Sequence, residues 1–236
     1  MNIKYSAISD CGKTRKKNQD RIFLSKIVCD DQPLCLLKGH LQSAEITLAV
    51  FDGMGGEQCG EKAAQLAIKI LREQEEMAPE MICRTANEAI CSYMQEHQIR
   101  SMGTTAAIVR MQGNEACCCN LGDSRIYRLD QMGLHQLSID HAMSVGSIKP
   151  RRVLTQYLGI PEAEMVLEPS IRKIKLGKKE KLLLCSDGLT DMVSEQEIQK
   201  IMTAYETLDA AERLFAAAMD HGGKDNISII VCEVTS

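Results

Sequence analysis

The chain has 236 residues, of which 44% are hydrophobic and 25% are charged. These values are typical of a globular protein and predict a single domain spanning residues 1–236. A formal net charge of -4 without a long basic run argues against nucleic-acid binding. No stretch approaches the roughly 18 apolar residues that cross a bilayer. The eleven cysteines are irregularly spaced and no apolar signal segment opens the chain. We therefore expect reduced thiols, a cytoplasmic location and a monomer.

The first half of the chain is predicted to combine short strands with two helices. Strands are expected at 3–9 and 21–28, and a strongly apolar strand runs from Glu45 to Phe51. A Gly-rich turn leads into a helix from about Glu61 to Arg72. Pro79, a favoured first-turn residue, begins a second helix.

The second half begins with closely spaced strands, which are separated by turn residues and therefore predict an antiparallel meander. Ser194 and Glu197 form a capping-box pattern, and Thr207 is expected to cap another helix. Separate runs of strands and helices predict an α+β fold with helices outside antiparallel sheets. The predicted elements are strands at 104–111, 115–121, 124–130, 134–138, 171–176, 181–186 and 227–234, with helices from Ser194 to about Tyr205 and from Thr207 onwards.

Four strand ends or tight turns carry an aspartate beside a small or turn-forming residue: Asp52, Asp123, Asp187 and Asp225. Each one alone is a common turn. Strand ends of a sandwich meet at one edge, so these carboxylates can converge. Clustered carboxylates repel one another, and a divalent cation removes that repulsion. Oxygen ligands favour Mg²⁺ or Mn²⁺, whereas no His/Cys set has the spacing of a zinc site.

Arg15 supplies the charge that complements this acidic cluster, because a guanidinium can bind a phosphate through two parallel hydrogen bonds. An acidic metal site with one arginine is typical of phosphate-ester hydrolysis. The Gly-rich turn after Asp52 lacks both common nucleotide-binding patterns, so direct nucleotide binding is not expected.

An ordered set of motifs along nearly the whole chain resembles the metal-dependent protein phosphatase family, the type 2C Ser/Thr phosphatases, in its compact bacterial form. The motifs are Gly12-x-x-Arg15-x-x-Asn18-Gln19-Asp20, Phe51-Asp52-Gly53-Met54-Gly55-Gly56, Met102-Gly103-Thr104-Thr105, Leu121-Gly122-Asp123-Ser124-Arg125-x-Tyr127, Asp140-His141, Val153-Leu154-Thr155-x-x-Leu158-Gly159, Ser186-Asp187-Gly188-Leu189-x-Asp191 and Asp225-Asn226.

The resemblance implies a four-layer α-β-β-α sandwich, two Mn²⁺ or Mg²⁺ ions with an optional third, and direct attack on the phosphate by metal-activated water. It assigns the phosphate contact to Arg15. The implied metal ligands are Asp52, which bridges both ions, the Gly53 carbonyl, Asp187, Asp225 and Asp20, and the optional third ion takes Asp123, Asp187 and Asp191.

Three positions depart from the family pattern. Met54 stands where many eukaryotic relatives have a proton-donating His, so another proton source is expected. Gln19 replaces a Glu of some relatives and lowers the charge near one ion. The flap around 141–152 is shortened, which affects substrate contacts. Within the motifs, His141 is interpreted as structural and Arg125 as a residue that orders its turn.

The implied substrates are phosphorylated proteins, such as a Ser/Thr kinase or its targets. Two alternatives remain open at this stage. One is a pseudophosphatase that binds or senses a partner without turnover, and the other is a small-molecule phosphohydrolase on the same fold. Survival of the metal ligands favours an enzyme, and only the resemblance favours protein substrates.

Overall fold

In the computed structural model, which describes residues 1–29, 34–55, 59–146 and 151–235, two six-stranded antiparallel sheets pack face to face. Helices cover both outer faces, which confirms the expected four-layer α-β-β-α sandwich. The strands are β1 (Asn2–Asp10), β2 (Arg21–Leu24), β3 (Ile27–Cys29), β4 (Leu34–Gln42), β5 (Glu45–Phe51), β6 (Gly53–Met54), β7 (Gly103–Thr104), β8 (Ala106–Gln112), β9 (Glu115–Leu121), β10 (Arg125–Asp130), β11 (Gly133–Gln136), β12 (Ala142–Val145), β13 (Arg151–Leu154), β14 (Ser170–Lys175), β15 (Lys181–Cys185) and β16 (Ile227–Val234). The helices are α1 (Cys59–Glu73), α2 (Pro79–Glu96), α3 (Asp187–Thr190), α4 (Glu195–Ala204) and α5 (Thr207–Asp220).

The strand order of the first sheet is β11-β10-β15-β16-β1-β4, and that of the second is β14-β9-β8-β5-β2-β3. Two short pairs stand apart from them, β6 with β7 and the hairpin β12–β13. The hairpin belongs to the predicted flap, of which residues 147–150 lie outside the described part of the chain.

The sandwich follows from strands that are apolar on both faces. In β5, Ile46, Leu48 and Val50 pack into the core between the sheets, whereas Ala49 and Phe51 pack into the layer beneath the helices. Successive strand residues point to opposite faces, so a continuous apolar run requires a cover on each side. A second sheet supplies one cover, and α1 and α2 supply the other.

The helices present small apolar residues to the sheets at helical spacing. In α1, Ala63, Ala64, Ala67 and Leu71 are buried, and α5 buries Ala210, Ala211, Leu214 and Ala218 in the same manner. Small side chains allow close approach of a helix to a sheet, which suits a chain with few aromatic residues. Among the helices in the described part of the chain, none is long and apolar enough to cross a membrane.

Three local expectations differ from the structure. The predicted strand 21–28 divides into β2 and β3, because Ser25 and Lys26 form a turn with φ values of 38° and 78°. The edge strand β4 was not predicted, since its residues alternate only between half-buried and exposed positions. Glu206 rather than Thr207 is the N-cap of α5, and the Thr207 hydroxyl instead donates to Glu233.

The cysteines correct one expectation. Cys29 and Cys35 form a disulfide with a Cα–Cα distance of 5.9 Å, contrary to the expectation of thiols throughout. β3 and β4 are edge strands of the two sheets and follow one another in the chain, which places the two cysteines close together. The other nine cysteines are free. Cys118 and Cys119 fill cores on opposite faces of β9.

Candidate metal centre

Asp20 and Asp52 lie side by side at one end of the second sheet. They precede β2 and follow β5, whose register pairs Arg21 with Phe51. Asp20 is 1% exposed, and its Oδ2 accepts a hydrogen bond of 2.8 Å from Ser186 Oγ. Ser186 directly follows β15 of the first sheet, so this hydrogen bond joins the acidic ends of the two sheets.

Asp187 and Asp225 lie at the matching end of the first sheet. Asp187 begins α3, and Asp225 stands two residues before β16. Their loops touch at Gly188, where a Cβ atom would lie 1.9 Å from the carbonyl oxygen of Asn226. Only glycine allows this approach, which brings the two acidic loops together.

Asn226 ties the loop that carries Arg15 to the loop that carries Asp225. Its Oδ1 accepts a hydrogen bond of 2.8 Å from the Gln19 backbone. Its Nδ2 donates to the carbonyl oxygens of Cys11 and Lys17, at 3.2 and 2.9 Å. The motif Asp225-Asn226 contained this residue, but sequence reasoning assigned it no role, because its partners lie more than 200 positions away.

The backbone of Asp52 is fixed from the β7–β8 segment. Its N–H donates to Thr105 Oγ1 at 3.0 Å, and its carbonyl oxygen accepts from Thr104 Oγ1 at 2.9 Å. At Gly53 a Cβ atom would lie 2.3 Å from the carbonyl oxygen of Gly60. The Asp52-Gly53 turn is therefore held against the start of α1. Gly56, the last residue of this motif, lies outside the described residues.

The electrostatics of the cluster follow from burial and like charge. Burial raises the pKa of Asp20 to about 6. Burial, followed by repulsion from the neighbouring carboxylates, raises the pKa of Asp187 to about 8. The same two causes raise the pKa of Asp52 well above its ordinary value. The charged form of this cluster therefore needs a compensating cation.

The donor set fits Mg²⁺ or Mn²⁺. Within the described ranges, the buried Oδ1 of Asp20 has no hydrogen-bond partner, which leaves a carboxylate oxygen available for a cation. All predicted ligands are oxygen donors, as hard divalent ions prefer. No three acidic, His or Cys side chains of the described chain form a ready-made cage. Instead, Asp225 is paired with Arg15, and Asp123 is paired with Arg152.

Arg15 lies beside the acidic cluster in a basic cleft. Its Nε and Nη2 donate to Asp225 Oδ1 and Oδ2 at 2.9 and 2.6 Å, although the Arg15 side chain is 54% exposed. These hydrogen bonds, followed by the charge of Asp225, raise the pKa of Arg15. The cleft is lined by Thr14, Arg15, Lys16, Lys17, Gln19, Met54, Gly55 and Lys224.

Two of the three residues predicted for a third ion, Asp123 and Asp191, flank the guanidinium of Arg152. Asp123 follows β9 and is 5% exposed, whereas Asp191 is exposed at the end of α3. Arg152 Nε lies 3.1 Å from Asp123 Oδ2, and Arg152 Nη1 lies 3.7 Å from Asp191 Oδ1. Sequence reasoning gave Arg152 no role, since its partners become neighbours only in the folded chain.

Both remaining motif residues have structural contacts. His141 Nδ1 accepts a hydrogen bond of 3.2 Å from the Gly122 N–H, and its Nε2 lies 3.2 Å from Ser170 Oγ. Arg125 binds both carboxylate oxygens of Asp140, with the shortest contact at 2.7 Å. These contacts agree with the structural roles expected for His141 and Arg125.

Comparisons with known proteins agree on one family. Residues 23–224 match the family model described as protein phosphatase 2C. Serine/threonine phosphatase stp of Listeria monocytogenes is 30% identical, over 95% of this chain and 93% of its own length. Serine/threonine protein phosphatase PstP of Mycobacterium tuberculosis is 28% identical over 98% of this chain, which spans only 45% of PstP. The solved catalytic domain of PstP, in complex with two manganese ions, covers 100% of this chain and 99% of its own, with a TM-score of 0.79 and 26% identity.

Proposed function

This chain belongs to the protein phosphatase 2C family, and we propose that it removes phosphate from phosphoserine and phosphothreonine in proteins with two bound Mn²⁺ or Mg²⁺ ions. The observation that carries the proposal is a buried carboxylate cluster beside a cleft lined by Arg15, Lys16, Lys17 and Lys224. A phosphate ester is the ligand that satisfies both halves of this arrangement, because its negative charge complements the basic cleft and its oxygens can approach metal ions.

In this proposal Asp52, the Gly53 carbonyl, Asp187, Asp225 and Asp20 would hold the two ions, with Asp52 as the ligand that both would share. Two bound divalent ions supply Lewis acidity and offset the negative charge of the phosphate. The hydrogen bond from Ser186 orients the buried carboxylate of Asp20. Such supporting hydrogen bonds hold ligands in one orientation and favour their charged form.

Arg15 binds the substrate phosphate. Its guanidinium lies at the mouth of the acidic cluster and feels the charges of Asp187 and Asp52 in addition to Asp225. A phosphate that replaces Asp225 as its partner keeps two parallel hydrogen bonds. The exposed Lys16 and Lys17 extend the positive surface along the cleft, which favours an extended acidic or phosphorylated segment.

We place the enzyme in the cytoplasm as a monomer, acting on a Ser/Thr kinase or its targets, with residues 1–236 as one phosphatase domain and its shortened flap at 141–152. The names of the relatives support protein substrates. The nine free thiols, such as those of the adjacent Cys118 and Cys119, support a reducing compartment, whereas the Cys29–Cys35 disulfide is a bond that such a compartment disfavours.

Phosphate release from a phosphothreonine peptide tests the function. We expect release with Mn²⁺ or Mg²⁺, none in EDTA, and none from the Asp52→Asn protein. Free phosphothreonine is the matched small substrate, and we expect it to react much more slowly than the peptide. Equal rates for the two would favour a small-molecule phosphohydrolase. A folded protein that binds metal but never releases phosphate would favour a pseudophosphatase.

A further inference from the structure

Arg152 is held among three carboxylates at the rim of the acidic cluster. Its Nε lies 3.1 Å from Asp123 Oδ2, its Nη1 lies 3.7 Å from Asp191 Oδ1, and its Nη2 donates to Asp140 Oδ2. Every nitrogen of the guanidinium therefore faces a different carboxylate. The side chain is 33% exposed, so the group closes the rim rather than lying free in solvent.

The fold holds this guanidinium in place from two directions. Arg152 lies on β13, where it pairs with Ser144 of β12. Asp140 precedes the hairpin and is fixed by both Arg125 and Gln136, at 2.9 Å from the Gln136 Nε2. Asp140, which binds Arg152, is thus itself held by two side chains. The β12–β13 hairpin places the Arg152 guanidinium beside Asp123.

Two of the three carboxylates that Arg152 contacts, Asp123 and Asp191, belong to the set implied for a third divalent ion, which Asp187 completes. Asp123 is only 5% exposed, and the Arg152 Nε lies 3.1 Å from its Oδ2. Arg152 therefore already supplies the positive charge that makes ionised Asp123 tolerable at this depth. A divalent ion at Asp123 and Asp191 would have to displace the guanidinium or accept it as a close like charge. The third-ion set does not fit a cation while Arg152 remains in place.

Competition favours the resident group, because a tethered cation does not diffuse away. A short tether gives an effective concentration on the order of millimolar. A free ion must exceed that advantage to take the site. In the two-ion centre Asp225 is paired with Arg15, but the buried Asp20 Oδ1 has no hydrogen-bond partner among the described residues, so a ligand oxygen is open to a cation there.

We propose that Arg152 takes the place of a third divalent ion, so that this chain operates with two. The inference deepens the proposed function and rests on it for the two-ion centre. Arg152 is a positioning residue in this scheme: it neutralises Asp123 and Asp191 and secures the β12–β13 hairpin against the rim, without contact to the reacting phosphate.

Counting bound Mn²⁺ tests the inference independently of turnover. The free Mn²⁺ is measured by its electron paramagnetic resonance signal during titration of the protein, up to free concentrations on the order of 1 mM, the range that a short tether provides. The variants are Arg152→Gln, which removes the charge and keeps a polar side chain, and Arg152→Gln with Asp123→Asn. Arg172→Gln is the matched control, because it removes an exposed arginine on β14.

We expect two ions in the wild type and in Arg172→Gln, three in Arg152→Gln, and two again in the double variant. Three ions in the wild type would overturn the inference, as would two in a folded Arg152→Gln protein. Retention of the third ion in the double variant would also overturn it, because the ion would then lie elsewhere. A wild type that binds no ion would instead refute the proposed two-ion centre itself.

Discussion

Arg15 and Asp225 bind each other through two parallel hydrogen bonds, Nε to Oδ1 at 2.9 Å and Nη2 to Oδ2 at 2.6 Å. In the proposed reaction one of them contacts the phosphate and the other a metal ion. The ion pair occupies the Asp225 carboxylate that the metal ion needs and the Arg15 guanidinium that the phosphate needs. Metal binding at Asp225 therefore frees the guanidinium for phosphate. Binding of the two ligands is therefore linked through this ion pair, and linkage is reciprocal.

Arg15→Ala is expected to change metal affinity and catalysis in opposite directions. Loss of the competing ion pair, worth about 0.2–1 kcal/mol at an exposed position, should tighten Mn²⁺ binding by up to about fivefold. Loss of a charged phosphate contact, worth about 1.5–3 kcal/mol, should lower kcat/KM by roughly 10- to 150-fold. Calorimetric titration and phosphopeptide kinetics measure the two effects.

The control for that variant is Lys16→Ala, which removes the same charge from the neighbouring exposed position in the cleft. It should leave Mn²⁺ affinity nearly unchanged. Equal effects of both substitutions on metal binding would mean that overall charge, rather than the pair with Asp225, is responsible.

Asp52→Asn is expected to abolish phosphate release without loss of the fold. Removing a buried charge relieves repulsion with Asp20 and Asp187, so the thermal midpoint in EDTA should stay the same or rise. Thermal unfolding and phosphate release are measured on the same preparation. The exposed Glu162→Gln is the matched control and should retain full activity. Near-normal turnover in Asp52→Asn would show that Asp52 is not a ligand of the proposed metal centre.

The stability of the protein in EDTA should fall as pH rises from about 4 to about 8. The folded-state pKa of Asp187 is raised to about 8 and that of Asp20 to about 6, above the value of about 3.9 for an unfolded Asp. In this window the folded state binds more protons than the unfolded state, so the free energy of unfolding decreases with pH. Thermal midpoints measured across the window test the sign.

Two comparisons isolate the carboxylates as the cause of that slope. Asp187→Asn should flatten the dependence of the thermal midpoint on pH in EDTA, since the introduced amide does not titrate. Mn²⁺ should raise the thermal midpoint most at the alkaline end, where the cluster is ionised. Midpoints that rise between pH 4 and 8 in EDTA would contradict the assigned pKa shifts.

Gly188→Ala is expected to disturb the centre through packing alone. Its Cβ would lie 1.9 Å from the Asn226 carbonyl oxygen, which is rigid backbone. Overpacking of this kind costs about 1–3 kcal/mol and should also weaken Mn²⁺ binding, because the Asp187 and Asp225 loops would separate. Gly177→Ala is the control, since its new Cβ meets the flexible carboxylate of Glu180 at 2.9 Å. Equal losses of unfolding free energy in the two variants, measured by denaturant unfolding, would exclude the close contact between the Asp187 and Asp225 loops as the reason.

Local pattern predicted much of the fold because regular strands carry their own signal. The strands Glu45–Phe51, Glu115–Leu121 and Ile227–Val234 have the predicted bounds, since each is a strongly apolar run with turn residues at its ends. The edge strand Leu34–Gln42 was missed because its residues alternate between half-buried and exposed positions and none is fully buried. The hairpin that carries Arg152 was missed for the same reason, as most of its described residues are exposed.

The sequence by itself determined the sandwich, the acidic strand ends and the family, because these depend on residue type, periodicity and motif order. Only the tertiary structure decided which side chains contact one another. Asp225 follows Arg15 by 210 positions, and Ser186 follows Asp20 by 166. Periodicity describes which face a side chain occupies within its own element, whereas these contacts arise where strand ends of two different sheets meet. The pairing of Arg152 with Asp123 arises where the separate β12–β13 hairpin meets the turn after β9, so no local pattern could have revealed it.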